Sequence, residues 1–176
     1  MSAVLPQRSL PFVPSPYLRL RIEPMSRGDL ETVYQAENLI YPFPWTLGNF
    51  EDSLESGYGA WICCDRENNK LVGYAVMMPA LDEAQLLNIS ILPERQRQGL
   101  GGALLEYLFA EALERGAIRM LLEVRRSNQQ AQTFYQQHGF SVIGCRRDYY
   151  PAGEKGVTGS GNIREDALVM ERLLQP

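Results

Sequence analysis

Seven consecutive residues, Gln96-Arg97-Gln98-Gly99-Leu100-Gly101-Gly102, combine backbone freedom with a cation where an apolar strand gives way to an apolar-periodic helix. Glycine has no side chain, so main-chain N–H groups in this stretch can approach a ligand closely. The first N–H groups of a helix have no internal acceptors and carry the positive end of its dipole. With Arg97 adding a formal charge, the stretch suits a diphosphate. A Walker loop would need Lys followed by Ser or Thr after the glycines, and neither is present. A Rossmann fingerprint would need a third, correctly spaced glycine and would normally open the first βαβ unit. The loop alone also admits a second reading, a Gly-rich turn that holds no ligand.

Two further side chains could move protons. Glu123 interrupts the apolar run Met120-Leu121-Leu122-Glu123-Val124, where an unpaired carboxylate is costly to bury. Partial burial there would favour proton uptake. Glu123 is therefore either a proton acceptor or the partner of Arg125, two residues on along the same strand face. Tyr135 shares a helical face with Asn128, Ala131 and His138 by three-and-four spacing. It is either a core tyrosine or a phenol that donates a proton, since its ordinary pKa of about 10 keeps it protonated at neutral pH. His138 sits at a helix end and reads as structural. With one histidine and no plausible cysteine partner for it, acyl-enzyme chemistry of the Ser-His-Asp or Cys-His kind has little support. Cys63, Cys64 and Cys145 show no metal or redox spacing, and Cys63 and Cys64 should face opposite sides of a strand.

These residues need elements to position them. A strand is expected near Tyr17, with Tyr17, Leu18, Leu20 and Ile22 among Arg19 and Arg21. Ser26 with Asp29 forms an acidic capping box for a helix through about Leu39, which Pro42 and Pro44 end. Thr46 can cap a second helix through Phe50 and Leu54, closed by Gly57 and Gly59. Strands are expected at about 60–65 and 71–78, joined by Asn68-Asn69, and at 84–92, stopping at Pro93. A helix from about Gly99 to Arg115 presents Leu100, Leu104, Leu105, Leu108 and Ala112 on one face, with Gly116 terminating it. The nearly continuous apolar run 118–124 reads as a mid-sheet strand. Ser127 or Asn128 caps a helix to about His138, and strands at 140–149 and 165–173 complete the chain. Residues 152–163, with four glycines, are expected to form a mobile loop. The order β-α-α-β-β-β-α-β-α-β-β gives a mixed α/β fold.

The chain of 176 residues fits one domain, with 45% hydrophobic and 22% charged residues. Its formal charge of -4 argues against a broad nucleic-acid-binding surface. No apolar run reaches the roughly 20 residues of a membrane helix. Residues 1–16 hold Pro6, Pro11, Pro14 and Pro16 and read as an extended or disordered arm without the apolar core of a secretory signal. Residues 17–176 form the expected domain, in a reducing cytoplasmic setting with no metal and no membrane partner.

The segment Gln96 to Gly101 resembles the pyrophosphate loop Gln/Arg-x-x-Gly-x-Gly/Ala of the GCN5-related N-acetyltransferase (GNAT) superfamily at every fixed position. Further segments are similar to its RimI branch, the ribosomal-protein alanine N-acetyltransferases: Phe43-Pro44-Trp45, Leu81-Asp82-Glu83-Ala84, Asn88-Ile89, Leu122-Glu123-Val124-Arg125 and Ser127-Asn128. Tyr135, Gly139-Phe140, Arg147-Asp148-Tyr149-Tyr150-Pro151 and Arg164-Glu165-Asp166-Ala167 extend the likeness, which runs from about residue 17 to the end. The resemblance implies the GNAT fold, a central mixed, mostly antiparallel sheet flanked by helices, and acetyl-CoA as cosubstrate. It also implies direct acetyl transfer to a protein N-terminus, most simply that of a ribosomal protein.

On the same basis Glu123 becomes the proton acceptor and Tyr135 the acid that serves the leaving sulfur. Cofactor-binding residues are Gln96, Arg97, Gln98, Gly99, Leu100, Gly101, Gly102 and Asn128, with Ile89, Ser90 and Ile91 pairing the pantetheine arm through main-chain groups. Phe43, Trp45, Tyr149 and Tyr150, read as loop aromatics, frame a peptide slot. Asp82, Glu83, Glu165 and Asp166 are either receptors for an amino terminus or basic peptide, or solvated carboxylates. The loop after Pro151 is longer and richer in glycine than the RimI pattern, which bears on the acceptor more than on the chemistry. An acetyltransferase for a small amine or another protein N-terminus and a non-catalytic acyl-CoA sensor are the rival readings.

Overall fold

The computed structural model describes residues 19–152 and 164–175; the arm 1–16, Tyr17, Leu18 and residues 153–163 of the Gly-rich segment lie outside them. The elements are β1 (Leu20–Pro24), α1 (Leu30–Ile40), α2 (Leu47–Glu55), β2 (Gly59–Asp65), β3 (Leu71–Ala80) and β4 (Glu83–Ile91). They continue with α3 (Leu100–Glu114), β5 (Arg119–Arg125), α4 (Gln129–Gln137), β6 (Ser141–Pro151) and β7 (Arg164–Leu173). The order is the expected one. Short 3-10 turns at Arg27–Asp29 and Pro93–Arg95 precede α1 and the glycine loop.

Local chemistry sets the helix starts. The Ser26 N–H donates to the Asp29 carboxylate at 2.8 Å, and Thr46 Oγ1 accepts the Asn49 N–H at 3.2 Å. Asn128, rather than Ser127, caps α4, its Oδ1 accepting the Ala131 N–H at 3.0 Å. Gly59 does not end α2 but opens β2, because the Trp61 ring lies where a Cβ would stand, within 2.2 Å. No described helix is long and apolar enough to cross a membrane.

The seven strands form one sheet in the order β1-β2-β3-β4-β5-β7-β6. All neighbours are antiparallel except β4 and β5, which α3 joins as a parallel pair. Two irregularities of β4 shape the molecule. Opposite β3, the register passes from Met77↔Leu86 to Val76↔Asn88, so Leu87 is a bulge residue. The bulge reverses the alternation of side chains along the strand. Opposite β5, pairing runs only from Glu83↔Arg119 to Leu86↔Leu122, although both strands continue. Beyond Leu86 the two strands diverge, and a wedge opens at their C-terminal ends. Gly73 on β3 permits the close approach of β4 there, since a Cβ would meet the Ser90 carbonyl oxygen at 2.3 Å.

Two cores flank the sheet. Leu100, Leu104, Leu105, Leu108 and Ala112 of α3 pack with Met120, Leu122, Phe140 and Met170 on one face. Leu30, Val33 and Ala36 of α1 and Phe50 of α2 pack on Ile62, Tyr74 and Val76 on the other. Cys63 belongs to the first core and Cys64 to the second, as strand alternation requires. β5 lies inside the sheet, between β4 and β7, as expected, but only one of its faces is fully covered. Met120, Leu122 and Val124 are buried, while Arg119, Leu121, Glu123 and Arg125 are only partly covered. The second face of β5 looks onto the wedge instead of a helix.

Candidate active site

The glycine loop lies at the mouth of the wedge. Arg97 at φ 60° and Gly99 at φ 77° both take the left-handed conformation, which costs a non-glycine residue roughly 1–2 kcal/mol. Gly99 serves as N-cap of α3, and the first bond inside the helix runs from the Ala103 N–H to the Gly99 carbonyl at 3.1 Å. The N–H groups of Leu100, Gly101 and Gly102 therefore precede any helical acceptor. A cleft of about 590 Å³ lies before them, lined by Gln96, Arg97, Gly99, Gly101 and Gly102 on one side. Ile89, Ser90 and Ile91 of β4 and Asn128, Ala131 and Tyr135 of α4 line the rest.

Two expected cofactor residues keep their side chains out of this cleft. The Leu100 side chain is buried in the core at 2% exposure, because the apolar face of α3 begins there. Gln98 turns its amide back to the Glu94 carbonyl at 3.4 Å. His138, read from sequence as structural, lines the cleft, and its Nδ1–H donates to the Phe134 carbonyl at 2.8 Å. Its Nε2 lies 2.9 Å from where a Cβ on Gly102 would stand, so glycine there makes room for the ring. These features suit a diphosphate ligand: main-chain donors at a helix start, an exposed arginine, and glycines where a side chain would intrude.

The loop is also pinned. Arg95 pairs with Asp65 at the end of β2 at 2.7 Å. That hydrogen bond, with the Glu67 N–H, holds the Asp65 carboxyl below its ordinary value. A depressed carboxyl adds stability above its unfolded pKa and loses it as pH falls. Acidification below about pH 4 should therefore lower the melting temperature, and Asp65→Asn should remove that part of the pH dependence. An unchanged acid profile in the variant would show that the pair contributes nothing.

A second, smaller cleft of about 200 Å³ occupies the wedge from the other side. Tyr41, Ile89, Asn128, Ala131 and Tyr135 belong to both clefts, so the two meet there. Glu123 lines the second cleft, but its partner is not Arg125. The Arg146 guanidinium of β6 holds it at 2.9 Å, with the carboxylate side chain only 10% exposed. Arg125 instead stacks on Tyr150 at 4.4 Å and on Phe43 at 5.4 Å, and donates to the Pro151 carbonyl at 2.8 Å. Burial, with the Glu123 charge adding, pushes the Tyr150 phenol up to about 12. Burial also raises the Tyr135 phenol, which packs edge-on against Phe134 and Phe140.

Of the expected slot aromatics, Phe43, Trp45 and Tyr150 line the second cleft and Tyr149 does not. Tyr149 and Tyr150 belong to β6, not to a loop, because the strand runs on to Pro151. Tyr149 packs on Tyr150 and Arg146, and hydrogen bonding to Glu123 raises its phenol. Trp45 serves the second core as well, its ring tilted against Phe50 at 5.2 Å. Asp82, Glu83, Glu165 and Asp166 line neither cleft. Glu83 pairs with Arg119, Asp166 with Arg126 at 3.0 Å, and Glu165 accepts from the Ser127 hydroxyl at 3.0 Å. Glu83, Glu165 and Asp166 are therefore engaged within the chain rather than offered to an acceptor, and Asp82 is exposed.

Sequence reading missed three members of the site: Glu37, Tyr41 and Arg146. Glu37 had a legible signal. It falls on the apolar stripe of α1, four residues after Val33 and three before Ile40, where a carboxylate is out of place.

The acetyltransferase (GNAT) family model matches residues 30–140. The chain is 38% identical over 149 residues to the ribosomal protein bS18-alanine N-acetyltransferase of Escherichia coli strain K12, spanning 85% of this chain and 94% of that protein. Its likeness to the enzyme of the same name from Haemophilus influenzae is 36% over 142 residues, 81% of this chain and 90% of that one. The crystal structure of the ribosomal-protein-S18-alanine N-acetyltransferase from Escherichia coli superimposes with a TM-score of 0.76 at 35% identity, over 89% of this chain and 95% of that chain.

Proposed function

Because the chain belongs to the acetyltransferase (GNAT) family and is an N-acetyltransferase, we propose that it acetylates the N-terminal alanine of the small-subunit ribosomal protein bS18. The observation that carries the chemistry is the meeting of two clefts at Tyr41, Ile89, Asn128, Ala131 and Tyr135. Relatives at 36–38% identity over most of their length carry the choice of acceptor.

Family members use acetyl-CoA, and the larger cleft suits its diphosphate. The N–H groups of Gly99 to Gly102 and the dipole of α3 face the phosphates, and Arg97 adds charge. Past Leu86 the β4 edge has lost its ladder with β5. Main-chain groups of Ile89 to Ile91 can then pair with the pantetheine amides as an added strand, and an N–H among them polarises the thioester carbonyl.

The acceptor amine enters through the smaller cleft between Phe43, Trp45 and Tyr150. An α-amino group has a pKa of about 7.7–8.0, so a modest base is sufficient near neutrality. Glu123 takes the proton, directly or through one water, with Arg146 and the Tyr149 hydroxyl holding its carboxylate in place. The amine nitrogen bonds to the carbonyl carbon and the carbon–sulfur bond breaks. Tyr135, kept protonated by its burial, gives its proton to the departing sulfur, and the second proton shed by the acylated nitrogen, passed through water, restores the phenol.

Labelled acetyl-CoA with an Ala-starting bS18 peptide, a Ser-starting control and free polyamines tests the reading. The expected result is one acetyl group on the alanine α-amine, with far slower turnover of the others. Preference for a small amine would overturn the acceptor, and no product with any acceptor would favour an acyl-CoA sensor.

A further inference from the structure

The smaller cleft contains a carboxylate that the acetyl-transfer mechanism does not use. Glu37 is 2% exposed in the second core. Its Oε1 accepts the Trp45 N–H at 2.9 Å, and its Oε2 accepts both the Tyr74 hydroxyl and the Asn88 side-chain amide, the latter at 3.2 Å. The series continues. The Ser90 hydroxyl donates to Asn88 Oδ1 at 3.0 Å, and the Tyr41 hydroxyl lies 2.9 Å from Ser90 Oγ.

Proton order in this series is dictated from one end. A carboxylate only accepts, so Asn88 must turn its NH₂ to Glu37 and its oxygen to Ser90. Ser90 spends its one hydrogen on that oxygen. Its own oxygen is then an acceptor, and the Tyr41 O–H must donate to it. The Tyr41 oxygen is left with lone pairs and no proton to offer, at the point where the two clefts meet. Burial raises the Tyr41 phenol, with the Glu37 charge adding, so the hydroxyl keeps its hydrogen.

We infer that Tyr41 is a substrate-contacting residue whose hydroxyl oxygen accepts an N–H of the acceptor amine and aims its nitrogen at the thioester. Glu37, Asn88 and Ser90 are positioning residues that act through it. The thioester carbonyl is itself only an acceptor, so Tyr41 cannot polarise it, and its role is separate from that of Tyr135. This assignment rests on the acetyl-transfer reading and names a further determinant of the same site.

The test is a double-mutant cycle of Tyr41→Phe and Ser90→Ala, measured on whichever amine the wild type acetylates. Tyr41→Phe should lower kcat/KM for the amine about tenfold, the worth of one hydrogen bond. The affinity for acetyl-CoA by calorimetry and the melting temperature should stay near wild type. Ser90→Ala should give a similar loss alone and little further loss in the Tyr41→Phe background. Losses that multiply, a loss confined to acetyl-CoA affinity, or a Tyr41→Phe enzyme equal to wild type would overturn the assignment alone. A wild type that acetylates no amine would end the acetyl-transfer reading and the Tyr41 assignment together.

Discussion

Glu123→Gln is expected to lower kcat by about 100-fold or more, the scale of a lost general base. The amide keeps the shape of the side chain and can still accept from Tyr149, but it cannot take a proton from an ammonium. Acetyl-CoA affinity should not change, because Glu123 lines the acceptor cleft and not the cofactor cleft. Arg146 loses its counter-ion, yet its side chain is 55% exposed and water can replace the carboxylate. The deficit should narrow as pH rises past about 8, where the α-amine deprotonates in solution and needs the base less. Steady-state rates on an Ala-starting peptide across this range decide the matter. A variant with wild-type kcat at pH 7 would remove Glu123 from the chemistry.

Tyr135→Phe is the second large effect. Phenylalanine preserves the edge contacts with Phe134 at 5.3 Å and Phe140 at 5.6 Å, so the melting temperature should scarcely move. What disappears is the hydroxyl that serves the departing sulfur, and kcat should fall about 100-fold with acetyl-CoA affinity retained. A core tyrosine without a chemical role predicts kcat unchanged, since Phe keeps the ring contacts. Measuring kcat and the melting temperature on the same preparation separates the two.

Much of the fold was legible because its signals are local. Apolar periodicity located α3, and the pair Ser26–Asp29 and the cap Thr46 marked the starts of the first two helices. The glycine loop was legible for the same reason, since a helix start and its glycines adjoin in sequence. The geometry that joins the two clefts was not. It depends on a bulge at Leu87 and on β4 leaving β5 after Leu86, and both are facts of register between distant segments. The partner that Glu123 takes was out of reach of the sequence for a related reason. Two residues along one strand face suggested Arg125, but β6 delivers Arg146 to that carboxylate, while Phe43 and Tyr150 draw Arg125 away. Glu37 was visible as a charge on an apolar stripe. Its donors come from the α1–α2 loop, β3 and β4, so their convergence could not be read along the chain.

Direct transfer requires acetyl-CoA and the amine to occupy their clefts together, and initial rates measured with both substrates varied test that requirement most directly. Intersecting double-reciprocal lines are the predicted result, as expected when both substrates bind before any product leaves. Parallel lines, the signature of an acetyl group parked on the protein between two half-reactions, would contradict it.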